Sequence, residues 1–477
     1  MKKIIAVLCL MSVISLVYGQ WSGYMATGES ELDGGIGMTW IDEQPYYNIS
    51  FQPDIGIGNF GIGLNVDLLI NTDTGKIRSV DWDEDYDYAR IIRYLRWGHK
   101  GDKVYAKVGA LDAARIGHGF IMNFYNNQIN YDQRKLGLSF DVDFGMGGFE
   151  TMTNNLGRLQ VIGGRAYIRP MYSKTIPVLR NLGFGASYVT DVDLKDAFGE
   201  DESIGVWGID VDLPLLKTDM LHLLLYADHA SIIDPQSQED MIHSINELAD
   251  PDPSVADGLD SDKTGSGQTI GIRADINALW NNLNVSVNFE RRFLGKHFIA
   301  NYFGPLYEVM RQTSIAQLLD FYESRGGNLP EEYDFIRDLD ISITQKMLLP
   351  LITEKRHGWY GALYLDFLRI VKVMGSYQRI DSQDKSGALH FGAGLSDNIP
   401  LISAEASYDK IGIDSFKDIG TLDNRSVARV GVGYKVKPYL LVYMDYIWNF
   451  VWSAGQSKYI SQERVQPRIA FRYPLNL

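Results

Sequence analysis

Hydrophobic and polar residues alternate along this chain with a period of two. Phe60, Ile62, Leu64, Val66, Leu68 and Ile70 fall on one side of an extended backbone, while Gly61, Gly63, Asn65, Asp67 and Asn71 fall on the other. That period predicts a strand, because successive side chains of a strand point to opposite faces. The split returns in Leu136, Leu138, Phe140, Val142 and Phe144 against Lys135, Gly137, Ser139, Asp141 and Asp143. It returns in Ile270, Ile272, Ala274 and Ile276 against Thr269, Gly271, Arg273 and Asp275, and in Leu283, Val285, Val287 and Phe289 against Asn284, Ser286, Asn288 and Glu290. Near the end, Leu440, Val442, Met444, Tyr446 and Trp448 oppose Tyr443 and Asp445. Counting from Phe60 gives about eighteen strands of the length a tilted span requires, and the weaker stretches 35–41 and 47–53 can add about two more.

Alternation alone fits a soluble sandwich as well as a barrel in lipid. The connections separate the two. Short turns at 98–103, 145–148, 213–219, 278–283, 397–400 and 436–438 alternate with longer polar links at 71–84, 112–130, 191–203, 233–267, 295–358, 412–424 and 453–463. With antiparallel neighbours, the tight turns fall at one end and nearly all long loops at the other, as in a transmembrane barrel. The exceptions are two short links on the loop side, 154–158 and 381–385, and a long turn at 173–181. The expected fold is all-β: a closed antiparallel transmembrane β-barrel over 20–477, with roughly 16 to 20 strands and a small helical insertion. The segment 88–97 resists the period, since Arg90, Arg93 and Arg96 recur at every third position. Either a bulge near Ile91 and Ile92 or a different register would account for it.

The first residues add a compartment. Lys2 and Lys3 precede an apolar run from Ile4 to Val17, and small residues follow, which predicts a signal peptide over 1–19 with cleavage after Gly19. The one cysteine, Cys9, lies inside that peptide, so the mature chain is expected to have no disulfide, cysteine nucleophile or thiolate metal site. Stability must then come from burial or closure. The formal charge of -15 becomes more negative once Lys2 and Lys3 are lost, which disfavours nucleic acid as a partner. An aromatic content of 12% with 28 Tyr and 47 Gly suits a β wall with interfacial girdles.

At the carboxyl end, Val465, Pro467, Ile469, Phe471, Tyr473, Leu475 and Leu477 alternate with Arg464, Gln466, Arg468, Ala470, Arg472 and Asn476. This stretch resembles the terminal β-signal of bacterial outer-membrane barrel proteins, although Leu477 stands where that signal usually has an aromatic. The resemblance is to a porin-like architecture and to no characterised family. It implies a bacterial outer-membrane location, with membrane lipid and the barrel-assembly machinery as partners.

The polar faces supply the candidate lumen. They mix Lys103, Lys107, Lys135, Arg165, Arg169, Arg273, Arg292, Arg429, Arg464 and Arg468 with Asp141, Asp143, Asp210, Asp212 and Asp275. A barrel this wide holds more space than side chains fill, so the expected function is a porin-like channel for passive diffusion of small hydrophilic or charged solutes. The alternative is a structural or partner-binding barrel with a plugged lumen. For most of these charges, pairing into networks that hold the wall is the favoured role. The link 112–130, with Arg115, His118 and Phe120 and an apolar, amide-rich continuation, reads equally as a constriction folded into the pore or as a strand extension packed among outer loops. In 295–358, Leu306, Val309, Met310, Leu318, Leu319 and Phe321 keep helical spacing, and a second start follows at Pro330, which predicts a cap or plug. The acidic stretch 233–267, with Asp250, Asp252, Asp257, Asp260 and Asp262, reads as a solvated extracellular loop in preference to a calcium site, because its spacing matches no EF-hand. His118, His222, His229 and His357 stand in no catalytic motif, so neither enzyme activity nor a cofactor is expected. Whether copies of the chain assemble is left open.

Overall fold

The computed structural model describes residues 30–475, apart from 42–43, 84, 130–133, 196–200, 234–264, 280–281, 315–341, 353, 397–398, 424 and 454–457. Segment 1–19, most of the acidic stretch 233–267 and the helical pattern beyond residue 314 therefore lie outside the described residues. Among those described, twenty strands form one wall. They begin with β1 (Ser30–Ile41), β2 (Gln44–Ile57), β3 (Phe60–Leu64 and Val66–Asn71, interrupted at Asn65), β4 (Ile92–Trp97) and β5 (Val104–Gly109). There follow β6 (Gly137–Asp143), β7 (Gly147–Thr153), β8 (Val161–Ile168), β9 (Gly183–Lys195) and β10 (Asp201–Lys217). The next five are β11 (Leu221–Ile233), β12 (Ser266–Ala278), β13 (Leu283–Leu294), β14 (Arg356–Phe367) and β15 (Val371–Ile380). The last are β16 (Gly387–Leu395), β17 (Ile402–Ile413), β18 (Ser426–Lys437), β19 (Leu440–Ser453) and β20 (Lys458–Leu475). Eighteen of them start at or after Phe60, and the two weak stretches before it are the remaining pair.

Each strand pairs antiparallel with its neighbour in sequence, and β1 closes on β20 from Ser30 opposite Leu475 to Gly37 opposite Arg468. Closure leaves no edge, so the wall satisfies its own backbone hydrogen bonds, the condition that hydrocarbon imposes. The outer surface is apolar: Ile36, Phe51, Ile209, Ile270, Phe289, Val432, Val442, Ile469 and Phe471 are all exposed. Their sequence neighbours Ser50, Asp210, Thr269, Glu290, Tyr443 and Ala470 are buried on the other side. In water such a surface would be an aggregation liability, whereas in lipid it is the required one. Among the described residues no helix is long and apolar enough to cross a membrane, and the crossing falls to the strands. The closed antiparallel cylinder is the β-barrel that the alternation and the connections predicted.

The arginine triplet is settled by a bulge. Gly63 lies opposite Tyr94 and Leu64 opposite Ile92, so Arg93 is the extra residue, one or two positions past the expected place. The bulge lets Arg93 reach Asp54, which also accepts a hydrogen bond from the Tyr94 hydroxyl at 2.5 Å. The strand expected from residue 88 starts only at Ile92. Asp85–Ala89 is instead a single helical turn, where Arg90 reaches back to Asp87 at 2.8 Å.

The cylinder is not hollow. After β5 the chain turns inward, and Leu111, Ile116, Phe120, Ile121, Met122, Tyr125 and Ile129 are buried. A second inward segment after β13 meets it: the Asn301 N–H donates to the Phe120 carbonyl at 2.7 Å, and Met122 bridges to Phe303. Both segments pack on inward residues of β7 to β11, namely Met152, Val161, Val189, Leu194, Ile204, Val206, Ala230 and Ile232. The described part of 295–358 contains one helical turn, Tyr307–Met310, an antiparallel pairing of Gln312–Ser314 with Ser342–Thr344, and a 3-10 segment Gln345–Leu351.

Candidate functional site

The first inward segment bends sharply at Gly117 and Gly119, whose φ angles of +56° and +94° suit glycine. A Cβ at Gly119 would come within 2.8 Å of the Asn123 side chain. The tip between them places His118 against two strands. Its Nε2 lies 2.6 Å from Asp212 Oδ1 of β10, its Nδ1 3.0 Å from Asp228 Oδ1 of β11, and its ring stacks on Tyr226 at 4.1 Å. Burial alone would lower its pKa, but the carboxylates of Asp228 and Asp212 outweigh that and push it up to about 10. The imidazole is therefore a cation that donates from both nitrogens.

Beside it Arg165 of β8 forms a fork on Asp210, from Nε at 2.8 Å and Nη2 at 2.5 Å, and reaches Asp212 at 3.3 Å and Glu150 at 3.2 Å. Glu150 in turn accepts the Gly117 N–H at 3.1 Å, which fixes the loop tip to the wall. His118, Asp210 and Asp212 offer atoms within 4.8 Å of one another, a spacing that could hold a metal ion. Arg165 already occupies the carboxylate oxygens with a guanidinium, so the cluster is compensated by protein cations.

A second group continues it along the wall, two strands further on. Glu290 and Arg292 of β13 are 0% and 1% exposed; Arg292 Nε donates to Glu290 at 2.8 Å, and its Nη1 donates to Gln378. The guanidinium lies 4.3 Å from the Tyr360 ring centre and 5.7 Å from that of Phe120. The Tyr226 hydroxyl donates to Glu290 at 2.7 Å, and Asn123 donates to the Tyr360 hydroxyl at 3.0 Å. The two inward segments are tied down further by Lys135, which donates to Glu308 at 2.5 Å, and by Arg311, which holds Asp191 of β9 at 2.5 and 2.6 Å. Burial would raise the Glu308 carboxyl, yet Lys135 and Arg311 keep it below its ordinary value.

The remaining candidates are mostly paired in the wall. Lys107 meets Asp112 at 3.4 Å, Lys100 meets Asp141 at 2.6 Å, and Arg169 meets Asp143 at 3.0 Å. Arg273 bonds to Asp275 at 2.8 Å, with His222 at 3.3 Å from the same carboxylate. Arg429 spans Glu405 at 2.9 Å and Asp445 at 3.5 Å, and Arg468 reaches Asp445 at 3.2 Å. Arg464 is buried in the wall, and Lys103 sits exposed in a turn rather than along the lumen. Below the His118 tip, towards the turn side, lies a cavity of about 420 Å³, bounded by Arg115, His118 and Phe124 of the inward segment and by Asn284, Ser286, Asn288, Tyr360 and Tyr364 of the wall.

Asp228, Tyr226, Asp191, Glu308 and Arg311 were not among the sequence candidates. Tyr226 and Asp228 follow His222 with period two, so the signal existed, but Leu224 and Ala230 on the same inward face obscured it. Glu308 lies in the helical turn Tyr307–Met310 and Arg311 follows it, and the apolar spacing of Leu306, Val309 and Met310 marks a buried face without marking which charged residues join it.

No family model matches the chain, and no curated protein matches it. Solved structures do. The chain is similar to CdiB from Acinetobacter baumannii at 7% identity and a TM-score of 0.26, covering 93% of this chain and 60% of that one. Against OpdL of Pseudomonas aeruginosa the values are 10% and 0.29, with 94% and 98% covered. Against the outer membrane channel DcaP of Acinetobacter baumannii they are 8% and 0.26, with 93% and 96% covered. At such values the likeness concerns shape alone, and the closed strand pairing stands independently of it.

Proposed function

We propose that the chain is a barrel of the bacterial outer membrane that conducts small hydrophilic or charged solutes through a lumen narrowed by two inward segments. The observation that carries this reading is the mid-height belt of Glu150, Arg165, Asp210, Asp212, Asp228, Glu290 and Arg292, with a cavity of mixed polar and apolar lining opening beneath it. Charged side chains held at fixed positions along a lumen wall can exchange solvating contacts with a passing solute. They would be a costly choice for a dry core.

A second reading, a plugged platform, draws on the apolar cluster that the inward segments form with β7 to β11. Planar-bilayer recording of the purified chain separates the two. Stepwise ion currents that change on replacement of Arg165 or Arg292 support the channel, whereas a silent bilayer with folded protein supports the platform.

A further inference from the structure

We propose that the connection between β8 and β9 binds the headgroup of an anionic phospholipid in the leaflet on the turn side. Other connections at that end are tight, but this one, 169–182, includes a helical turn, Pro177–Arg180, that packs beside β10. It exposes Met171, Tyr172, Ile176 and Leu179. An apolar surface on a turn suits water poorly and a bilayer interface well.

What lies next to it continues the lipid-facing wall. Phe144 and Met146, in the adjoining turn, are 68% and 67% exposed, and Ile168 and Phe184 lie opposite each other on β8 and β9 with their side chains outward. A Cβ at Gly145 would meet the Tyr172 hydroxyl at 2.8 Å, so the long connection folds back over the 144–146 turn. On β10 the register shifts between Pro214 and Leu216, which leaves Leu215 and Leu216 both exposed.

Two cations border this surface. Lys174 and Arg180 are exposed and have no ion-pair partner among the described residues, and Arg180 lies 4.8 Å from the Tyr172 ring centre. Arg169 differs, being held by Asp143 and by the Gly145 carbonyl at 2.7 Å. The nearby acid, Asp143, is thereby compensated, which leaves Lys174 and Arg180 to face the surface. A phosphate with acyl chains matches both halves of the surface, because the chains continue along Phe144, Ile168 and Phe184 while the phosphate meets Lys174 and Arg180. A soluble phosphate would use only the second half.

The test is native mass spectrometry of the full chain in detergent, titrated with phosphatidylglycerol or phosphatidylcholine. Retained phosphatidylglycerol should exceed phosphatidylcholine, fall at high salt, and weaken by about tenfold in the Lys174→Gln, Arg180→Gln double variant. Lys103→Gln, on another turn, should retain it. Equal retention of the two lipids by the unsubstituted chain would overturn the proposal, a result that needs no variant to fold. So would undiminished retention in the double variant, or displacement by inorganic phosphate alone. None of these readouts depends on conductance, so they stand or fall apart from the channel.

Discussion

The two ends of the same strands differ inside the barrel. On β7 to β11, the inward residues nearest the loop side are mostly apolar, Met152, Val161, Val189, Ile204, Val206, Ala230 and Ile232, all buried under the inward segments, with Asp191 the exception that Arg311 of the cover compensates. At mid-height the same inward faces carry Glu150, Arg165, Asp210, Asp212 and Asp228. Facing inward therefore does not decide whether a position is dry or charged. What covers the position decides it, and the cover is supplied by loops distant in sequence.

The largest effect expected is from removing that cover. Replacing 112–128 by a short Gly-Ser linker should raise single-channel conductance several-fold, and unchanged conductance would mean that the segment does not narrow the path. Next is the belt. Arg165→Ala leaves Asp210, Asp212 and Glu150 near one another without their guanidinium, and should cost about 3–5 kcal/mol of stability. The measurement is denaturant unfolding followed by heat-modifiable gel mobility.

His118 joins the two regions, and its effect has a sign in pH. Its folded pKa is raised, so its anchoring is complete below the ordinary value of 6.5 and is lost progressively as pH rises towards about 10. A spin label on Ala113→Cys should gain mobility across that window, and in His118→Ala it should be mobile and insensitive to pH. Within the dry end, Ile204→Val should cost only about 0.5–1.5 kcal/mol, as the loss of one buried methylene does. Smallest of all, Lys103→Gln should change stability by no more than about 0.5 kcal/mol, since Lys103 is a turn residue.

Period two made most of the wall readable, because one face of every span must meet a single uniform solvent. Ile270 and Ile272 against Thr269 and Arg273 show the pattern at its clearest, and the structure places them accordingly. The inward face has no such uniform partner. Val161 and Arg165 share it on β8, one under a loop and the other in the belt. The pairing of His118 with Asp212 and Asp228 was similarly hidden, because residues about a hundred positions apart meet only once the barrel has closed. His118 was nonetheless a sequence candidate, since an apolar, glycine-flanked loop is an unusual choice for water.

The account depends on the two faces of the wall meeting different media. Single cysteines placed in a Cys9→Ser background at Ile270, Ile272, Thr269 and Arg273 can carry spin labels in reconstituted bilayers. Labels at Ile270 and Ile272 should relax with oxygen dissolved in lipid, and those at Thr269 and Arg273 should not. Equal access of an aqueous relaxation agent to all four positions would contradict a closed barrel in hydrocarbon.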